Sequence, residues 1–271
     1  MSGRGWLDRL LGTARQDHAD PVARGQSLNR PDAVIYAVGD PHGRLDLFRR
    51  LERLILSDPD RPATQPALLV VLGDMLDRGP ASAGLIEHLL APPPRGLERI
   101  CLMGNHEAMA LAFFARPDPA APWLKLGGAE TLASYGIAPD PTLGYRLPAR
   151  QLAARIDGHV PVPHLAFLRG LPLWLRIGPH FFSHAGPDPA RRLDAQRPHE
   201  LLWSRAFDAA PTKPPPDLGN GLAVQGHVPL PRAERRGWRL GVDTGACATG
   251  RLTAVRLQDG QAPAFLEAVE T

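Results

Sequence analysis

The feature that most constrains this sequence is an apolar run at 67–72 that ends abruptly at Gly73-Asp74. A second acid, an arginine and a glycine follow within five positions, at Asp77-Arg78-Gly79. A continuous apolar run bounded by turn residues is typical of a strand buried on both faces, as in a parallel sheet. Two more runs have the same form, 33–38 before Gly39-Asp40 and 99–103 before Gly104-Asn105. The repetition predicts three strands, each with a polar group at its carboxyl end.

Each of the three runs leads into a segment with apolar residues at helical spacing, which predicts three successive strand–loop–helix units. Such units form parallel strands joined by right-handed crossovers, so their loops lie at one edge of the sheet. Open α/β proteins bind their ligands at that edge. We therefore expect one site to contain Asp40, His42, Asp74, Asn105 and His106, although the sequence separates them widely.

The second half of the chain contains short apolar runs separated by glycine-rich turns, with few helical segments. The runs are at 174–178, 180–186, 222–227, 239–243 and 252–257. This pattern favours a second, more antiparallel sheet packed on the first. The predicted fold is therefore α/β, a two-sheet β-sandwich flanked by helices.

Three further segments interrupt or flank this predicted fold. Residues 116–165 are rich in Pro and Gly and contain short helical pieces at 123–135 and 148–156, so we expect an inserted helical cap beside the site. The catalytic domain is predicted to span residues 32–260. We expect a peripheral N-terminal arm at 1–31 and a C-terminal tail at 261–271, because 271 residues suit one domain of this kind.

Composition argues against several classes of protein. The formal net charge is +3, with no long Lys/Arg block and no known nucleic-acid motif, so we expect no nucleic-acid partner. A run of about 18 apolar residues is absent, which argues against stable membrane insertion. The two cysteines, Cys101 and Cys247, lie far apart and outside any CxxC pair, and we see no signal-peptide pattern. The sequence thus predicts a cytoplasmic protein and leaves its oligomeric state open.

The predicted strand ends carry six side chains that bind divalent metal ions: Asp40, His42, Asp74, Asn105, His184 and His227. Carboxylate, amide and imidazole ligands without a thiolate suit manganese, iron or zinc rather than a structural zinc cluster. Six ligands exceed what one ion usually takes from a protein, so we expect two ions with Asp74 as the bridging carboxylate. Two ions about 3.5–4 Å apart can hold a hydroxide and polarise phosphoryl oxygens for in-line attack.

The same residues resemble known sequence motifs. Residues 39–43, 73–79 and 104–107 are similar to the GDxHG, GDxxDRG and GNHE motifs of the phosphoprotein-phosphatase family, within the calcineurin-like metallophosphoesterases. Residues 183–186 and 226–227 resemble its later histidine elements, and the likeness runs from about residue 33 to 258. Further segments resemble the bacterial serine/threonine protein phosphatases of this family: 123–136, 172–173, 201–205 and 242–246.

The resemblance implies a role for each site residue. Two divalent metal ions would be held by residues that share Asp74: Asp40, His42 and Asp74 for one ion, and Asp74, Asn105, His184 and His227 for the other. His106 would be the general acid that protonates the leaving oxygen, and Asp77 would orient it. Arg78 and Arg205, together with Asn105, would bind the phosphate, since a guanidinium can donate two parallel hydrogen bonds to it.

The resemblance therefore implies a metal-dependent phosphomonoesterase that dephosphorylates phosphoserine and phosphothreonine in proteins through attack by a metal-bridging hydroxide. Its partner would be a phosphoprotein or phosphopeptide, and manganese is the expected metal, with iron or zinc as alternatives. Hydrolysis of a dinucleoside polyphosphate such as diadenosine tetraphosphate stays open, because the motifs define the phosphoryl centre and not the group attached to it. A non-catalytic binding protein is a third hypothesis, but the chain retains every ligand and His106.

Overall fold

A computed structural model of the protein describes residues 23–30, 33–62, 64–209 and 213–271. Within these residues the chain forms eleven strands, β1 to β11: Gly25–Leu28, Val34–Val38, Ala67–Val71, Leu97–Cys101, Trp174–Ile177, His180–Ser183, Ala223–Gln225, Glu234–Arg236, Arg239–Gly241, Arg251–Leu257 and Ala264–Val269. The described residues also form eight α-helices, α1 to α8: Leu45–Leu56, Ser82–Leu90, Asn105–Ala115, Gly128–Ser134, Ala149–His159, Val162–Gly170, Pro198–Trp203 and Ala246–Thr249. Short 3-10 helices are at Pro122–Leu126, Leu193–Ala195 and Ala206–Asp208.

The first sheet has the strand order β11-β10-β2-β3-β4. Strands β2, β3 and β4 are parallel, with Val34 opposite Ala67 and Ala67 opposite Leu97. Each of these strands is followed by a helix, α1, α2 or α3, which is the crossover pattern that the sequence predicts. The carboxyl ends of the three strands therefore lie at one edge of the sheet.

The second sheet has the order β1-β5-β6-β7-β9-β8 and is mixed, so our expectation of a more antiparallel sheet is wrong. Strands β6, β7 and β9 are parallel neighbours, while β5 pairs antiparallel with β6. The connection from β6 to β7 is long and contains α7, and such a connection permits a parallel pair where a tight hairpin does not. Two faces of two sheets packed together, with helices outside, confirm the predicted β-sandwich.

Alternating side chains of β2 and β3 in the first sheet pack into two different cores, which is why these two strands are apolar throughout. In β3, Leu68 and Val70 pack in the apolar cluster shared with Phe182 of the second sheet. Leu69 and Val71 point to the opposite face and belong to the cluster that also contains the apolar side of α1. Successive residues of a strand face opposite sides, so a strand covered on both faces has no polar position.

The ends of the described chain correct two of the predicted boundaries. Residues 261–271 are not a tail, because β11 pairs antiparallel with β10 over six residues and forms an edge of the first sheet. The run at 252–257, which we expected in the second sheet, is part of β10 and pairs with β2. In the predicted N-terminal arm, β1 pairs in parallel with β5, and residues 1–22 lie outside the described residues.

The segment predicted as a cap is helical, with a 3-10 helix at Pro122–Leu126 followed by α4 and α5. Its short helices lie beside α2 and α3, the helices that follow the second and third parallel strands. A hydrogen bond from the Tyr145 hydroxyl to the Ala129 carbonyl fastens the loop between α4 and α5. Among the described residues, no helix has the length and apolar character needed to span a membrane.

Candidate metal and phosphate site

Site residues follow strands of both sheets at the same end of the sandwich. Asp40 and Asp74 lie just past β2 and β3, and Asn105 is the first residue of α3, after β4. His184 directly follows β6, and His227 follows β7. Because β2, β3 and β4 are parallel to one another and β6 is parallel to β7, these side chains meet at one edge.

Backbone conformation sets these residues apart from the rest of the chain. In the part of the chain that the structure describes, five residues other than glycine have positive φ: His42, Asp74, Asp77, Arg78 and His227. All five are candidate site residues in the sequence. A non-glycine residue in this region costs of order 1–3 kcal/mol, and such residues are concentrated at functional sites.

Asp74 lies at the centre of the site. Its Oδ2 is 3.4 Å from His184 Nε2, 3.7 Å from His42 Nε2 and 3.9 Å from His106 Nε2. Two groups of ligand atoms, each within 4.8 Å of one another, share this carboxylate: His42, Asp74 and His106 in one, and Asp74, His184 and His227 in the other. Asp74 supplies a ligand atom to both groups, and its bridging role stays a prediction.

The hydrogen bonds of two histidines define which ring nitrogen faces the site. His42 Nδ1 lies 2.8 Å from the Leu76 carbonyl and His184 Nδ1 lies 3.1 Å from the Leu72 carbonyl, so each Nδ1 donates its hydrogen to the backbone. Each Nε2 therefore presents a lone pair towards Asp74. A backbone carbonyl that fixes the far nitrogen is the arrangement of metal-binding histidines.

Two side chains lie close to His184 Nε2, which has no hydrogen to share because Nδ1 donates to the Leu72 carbonyl. Asn105 Oδ1 lies 2.8 Å away and His227 Nδ1 lies 3.1 Å away. The lone pairs of Asn105 Oδ1 and His184 Nε2 repel each other at 2.8 Å unless a cation lies among them. The donor set thus fits a divalent metal ion between Asp74, Asn105, His184 and His227.

Asp40 contributes an unpaired oxygen to the same site. Its Oδ2 accepts the backbone N–H of His227 at 2.9 Å, whereas its Oδ1 is buried and has no hydrogen-bond partner. Burial raises the pKa of Asp40 well above its ordinary value, and the charges of Asp243 and Asp74 add to the effect. A buried carboxylate oxygen without a partner is costly, and a nearby cation would remove that cost.

The protonation states suit metal binding. Burial lowers the pKa of His42 and of His227 to about 3 and also lowers the pKa of His184, so all three imidazoles are neutral at pH 7. Burial opposes ionisation of Asp74 as well, but at the acid pH where Asp74 titrates, the charges of the protonated imidazoles around it outweigh burial and hold its pKa below the ordinary value. Neutral imidazoles and an ionised carboxylate are the forms that ligate metals.

His106 and Asp77 form a buried pair beside this cluster. The His106 Nδ1–H donates to Asp77 Oδ2 at 2.6 Å, and Arg78 Nη2 donates to His106 Nε2 at 3.0 Å. Burial opposes the charged form of His106, but the carboxylates of Asp74 and Asp77 outweigh it and raise its pKa. A histidine held by a carboxylate and next to a cationic phosphate binder can donate a proton to a substrate oxygen.

Glu107 is a site residue to which we assigned no role from the sequence. Its two buried carboxylate oxygens accept four backbone N–H groups, those of Asp74, Met75, Leu76 and Gly104, at 2.8–3.0 Å. These bonds hold the loop that carries Asp74 in its positive-φ conformation. The GNHE motif contains Glu107, but the motif alone does not show which loop it contacts.

Arg205 stands apart from the other predicted site residues. Its side chain is 64% exposed, and its Nε donates to Asp208 Oδ2 at 3.1 Å. It nevertheless lies close enough to His227 for its charge to lower the pKa of that imidazole. The structure therefore leaves the guanidinium of Arg205 at the rim. It brings the other nine predicted site residues together: Asp40, His42, Asp74, Asp77, Arg78, Asn105, His106, His184 and His227.

The fold, together with side chains able to bind a metal ion, is that of the phosphoesterases that use divalent metals. Residues 33–255 match the sequence model of the calcineurin-like phosphoesterases, and the chain belongs to that family. The match confirms the family inferred from the motifs, and the sandwich with flanking helices confirms the fold.

Bacterial relatives support the same assignment. The chain is 30% identical to serine/threonine-protein phosphatase 1 of Salmonella typhimurium over 227 residues, which are 83% of this chain and 92% of the relative. It is also 36% identical to serine/threonine-protein phosphatase 2 of Escherichia coli over 110 residues, 40% of this chain and 45% of that protein.

Solved structures share the fold at lower sequence identity. A protein assigned as a diadenosine tetraphosphatase superposes with a TM-score of 0.61 at 20% identity, covering 92% of this chain and all of that one. A serine/threonine phosphatase from Saccharomyces cerevisiae superposes with a TM-score of 0.56 at 17% identity, covering 98% of this chain and 87% of that one.

Proposed function

We propose that this protein is a metal-dependent phosphomonoesterase that removes phosphate from phosphoserine and phosphothreonine side chains of proteins. The observation that carries the proposal is the pair of ligand groups sharing Asp74, one of which includes His106, whose Nδ1 donates to Asp77. The relative from Salmonella typhimurium, which covers most of this chain, supports the choice of a phosphoprotein substrate.

Two divalent cations are the expected cofactors, and manganese is the metal we propose, because oxygen and imidazole ligands without thiolate suit it. One ion would be held by Asp40, His42 and Asp74, and the other by Asp74, Asn105, His184 and His227. When bound, the ions supply Lewis-acid polarisation of the phosphoryl oxygens and lower the pKa of a water for attack on phosphorus.

The other residues bind the phosphate and move one proton. In the structure Arg78 donates to His106 Nε2, which shows where its guanidinium can reach. A phosphate oxygen placed there would accept hydrogen bonds from Arg78. Asn105 or Arg205 would donate a further hydrogen bond to the same phosphate. His106 Nε2 is then free to hold the proton that the leaving serine or threonine oxygen needs, while Asp77 keeps the ring oriented through Nδ1.

The test is hydrolysis of defined substrates by the purified protein, stripped of metal and then loaded with Mn²⁺. We expect phosphate release from phosphoserine and phosphothreonine peptides, lost in Asp74→Ala and reduced by about 10²–10⁴-fold in His106→Ala. His159→Ala is the matched control, because His159 is a cap histidine whose Nδ1 contacts the Tyr135 carbonyl and not the site.

The substrate panel includes diadenosine tetraphosphate, p-nitrophenyl phosphate and phenyl phosphate. Rapid cleavage of the dinucleotide, together with no cleavage of the phosphopeptides, would show that the proposed substrate is wrong. The proposed phosphoesterase site would be unaffected by that result. Full activity of Asp74→Ala on p-nitrophenyl phosphate, or of His106→Ala on phenyl phosphate, would instead overturn the site itself.

A further inference from the structure

The first turn of the cap contacts the carboxylate of Asp77 directly. Trp123 Nε1 donates to Asp77 Oδ2 at 2.7 Å, the same oxygen that accepts the His106 Nδ1–H. The Thr131 hydroxyl donates to the other oxygen, Oδ1, at 2.6 Å. Both oxygens of Asp77 are thus occupied, and two of the three side-chain donors come from the cap.

The backbone of the cap also lies against the loop that carries Asp77. The Arg78 N–H donates to the Gly127 carbonyl at 3.3 Å, and the Asp77 N–H donates to Thr131 Oγ1 at 2.9 Å. Gly127 has a φ of 117°, and a Cβ there would lie 2.5 Å from the Arg78 nitrogen and 2.9 Å from Asp77 Cβ. A Cβ on Gly128 would collide with the indole of Trp123. Both glycines are therefore needed for the close approach.

The indole of Trp123 is held in place by packing. The side chain is 3% exposed, and its ring centroid lies 4.7 Å from that of Phe113 and 5.7 Å from that of Phe114, both on α3. The same helix begins next to His106. The Nε1–H of Trp123 is consequently preorganised towards Asp77, with little rotamer freedom to lose.

From these contacts we propose that Trp123 and Thr131 are positioning residues for proton transfer, and that the cap is part of the acid–base machinery. They fix the plane of the Asp77 carboxylate, so that Oδ2 stays in line with His106 Nδ1 and the ring presents Nε2 to the substrate. The inference rests on the proposed function, because it requires His106 to protonate a leaving oxygen.

Proton donation matters most when the leaving group is a strong base. Phenolate released from phenyl phosphate needs the proton more than p-nitrophenolate, whose charge is delocalised. Loosening His106 should therefore slow phenyl phosphate far more than p-nitrophenyl phosphate. Damage to the metal site or to overall folding would slow both substrates alike.

The experiment compares kcat on these two substrates for Trp123→Phe, which removes the N–H but keeps an aromatic ring, and for Thr131→Val, which removes the hydroxyl but keeps the shape. We expect kcat to fall about tenfold or more on phenyl phosphate and to stay within about threefold on p-nitrophenyl phosphate. Thr131→Ser keeps the hydroxyl and should restore the wild-type ratio. Trp174→Phe is the matched control, because its indole N–H donates to the Ala23 carbonyl away from the site.

Equal losses on both substrates, or no loss on either, would overturn the positioning role. If Trp123→Phe does not fold, the ratio measured with Thr131→Val and Thr131→Ser decides the question. Both aryl phosphates report on the phosphoryl centre whatever the natural substrate is. Failure on phosphopeptides would thus reject the proposed substrate, while the ratio still tests the two cap residues.

Discussion

Replacing Glu107 by glutamine should weaken both the fold and the metal site, because Glu107 carries the loop of Asp74. Oε1 accepts the N–H groups of Met75 and Leu76, and Oε2 accepts those of Asp74 and Gly104. In Glu107→Gln an NH₂ group takes the place of one oxygen. Whichever oxygen is replaced, two backbone donors then face another donor.

The magnitude follows from the two hydrogen bonds that are lost. Leaving a buried donor without its acceptor costs about 1–3 kcal/mol, so two of them correspond to roughly 2–6 kcal/mol. For a domain of this size, the midpoint of thermal unfolding should fall by on the order of 10 °C. Asp74 would also lose its fixed position, and changes just outside a metal's ligands typically lower affinity about 10–100-fold.

Two measurements check this prediction. Thermal unfolding without metal, followed by circular dichroism, gives the loss of stability, and calorimetric titration with Mn²⁺ gives the change in affinity. Glu130→Gln, the same substitution at an exposed position of α4, should change neither.

A midpoint within about 2 °C of the wild type would show that the four hydrogen bonds contribute little to stability. A large drop in midpoint with unchanged Mn²⁺ affinity would show that Glu107 supports the fold but not the position of Asp74. Either result would refute the prediction that Glu107 supports both the fold and the metal site.

Three further predictions concern single side chains. Asp77→Asn removes the charge that helps raise the pKa of His106. The alkaline limb of the pH profile of kcat on phenyl phosphate should therefore move to lower pH. An unmoved limb would argue against a functional His106–Asp77 pair. Burial lowers the pKa of His180 below its ordinary 6.5, and its Nδ1 accepts the Leu222 N–H. Just below pH 6.5 the unfolded chain therefore binds a proton at His180 more readily than the folded chain does. The neutral ring adds stability that is present above pH 6.5 and lost as the pH falls below it. His180→Gln should therefore reduce the loss of stability between pH 7.5 and 5.5 in thermal unfolding, and an identical loss would contradict this prediction. Arg205→Ala should raise KM for a phosphopeptide about tenfold at nearly constant kcat, and an unchanged KM would remove Arg205 from the phosphate site.

The sequence predicts the parallel half of the fold well because that half is covered on both faces. Alternate residues of β3 enter different cores, so the run is apolar without interruption and ends sharply where the sheet meets solvent. The second sheet gave a weaker signal. Its strands are only three or four residues long, so their direction depends on connections whose paths no local pattern reveals.

The candidate site was predictable for a related reason. Its ligands follow directly after strands, so the topology of the sheet is enough to bring Asp40, Asp74 and Asn105 to one edge. The contacts of Glu107, Trp123 and Thr131 were not predictable in this way. Each depends on how a helix or the cap packs against a loop that is distant in sequence. Hydrophobic periodicity does not show which distant segments contact one another.

Strained backbone at the site shows why these supporting residues are needed. Five positive-φ residues at about 1–3 kcal/mol each would cost an amount comparable to the net stability of a whole domain. Besides the four bonds to Glu107, the backbone of His42 donates to the Asp74 carbonyl and its ring donates to the Leu76 carbonyl. Several hydrogen bonds thus hold the loop in one conformation. The side chains of Asp74 and His42 are therefore already oriented before an ion binds. Metal binding then does not have to order the loop. Because this entropic cost is already met in the folded protein, the affinity for the metal is higher.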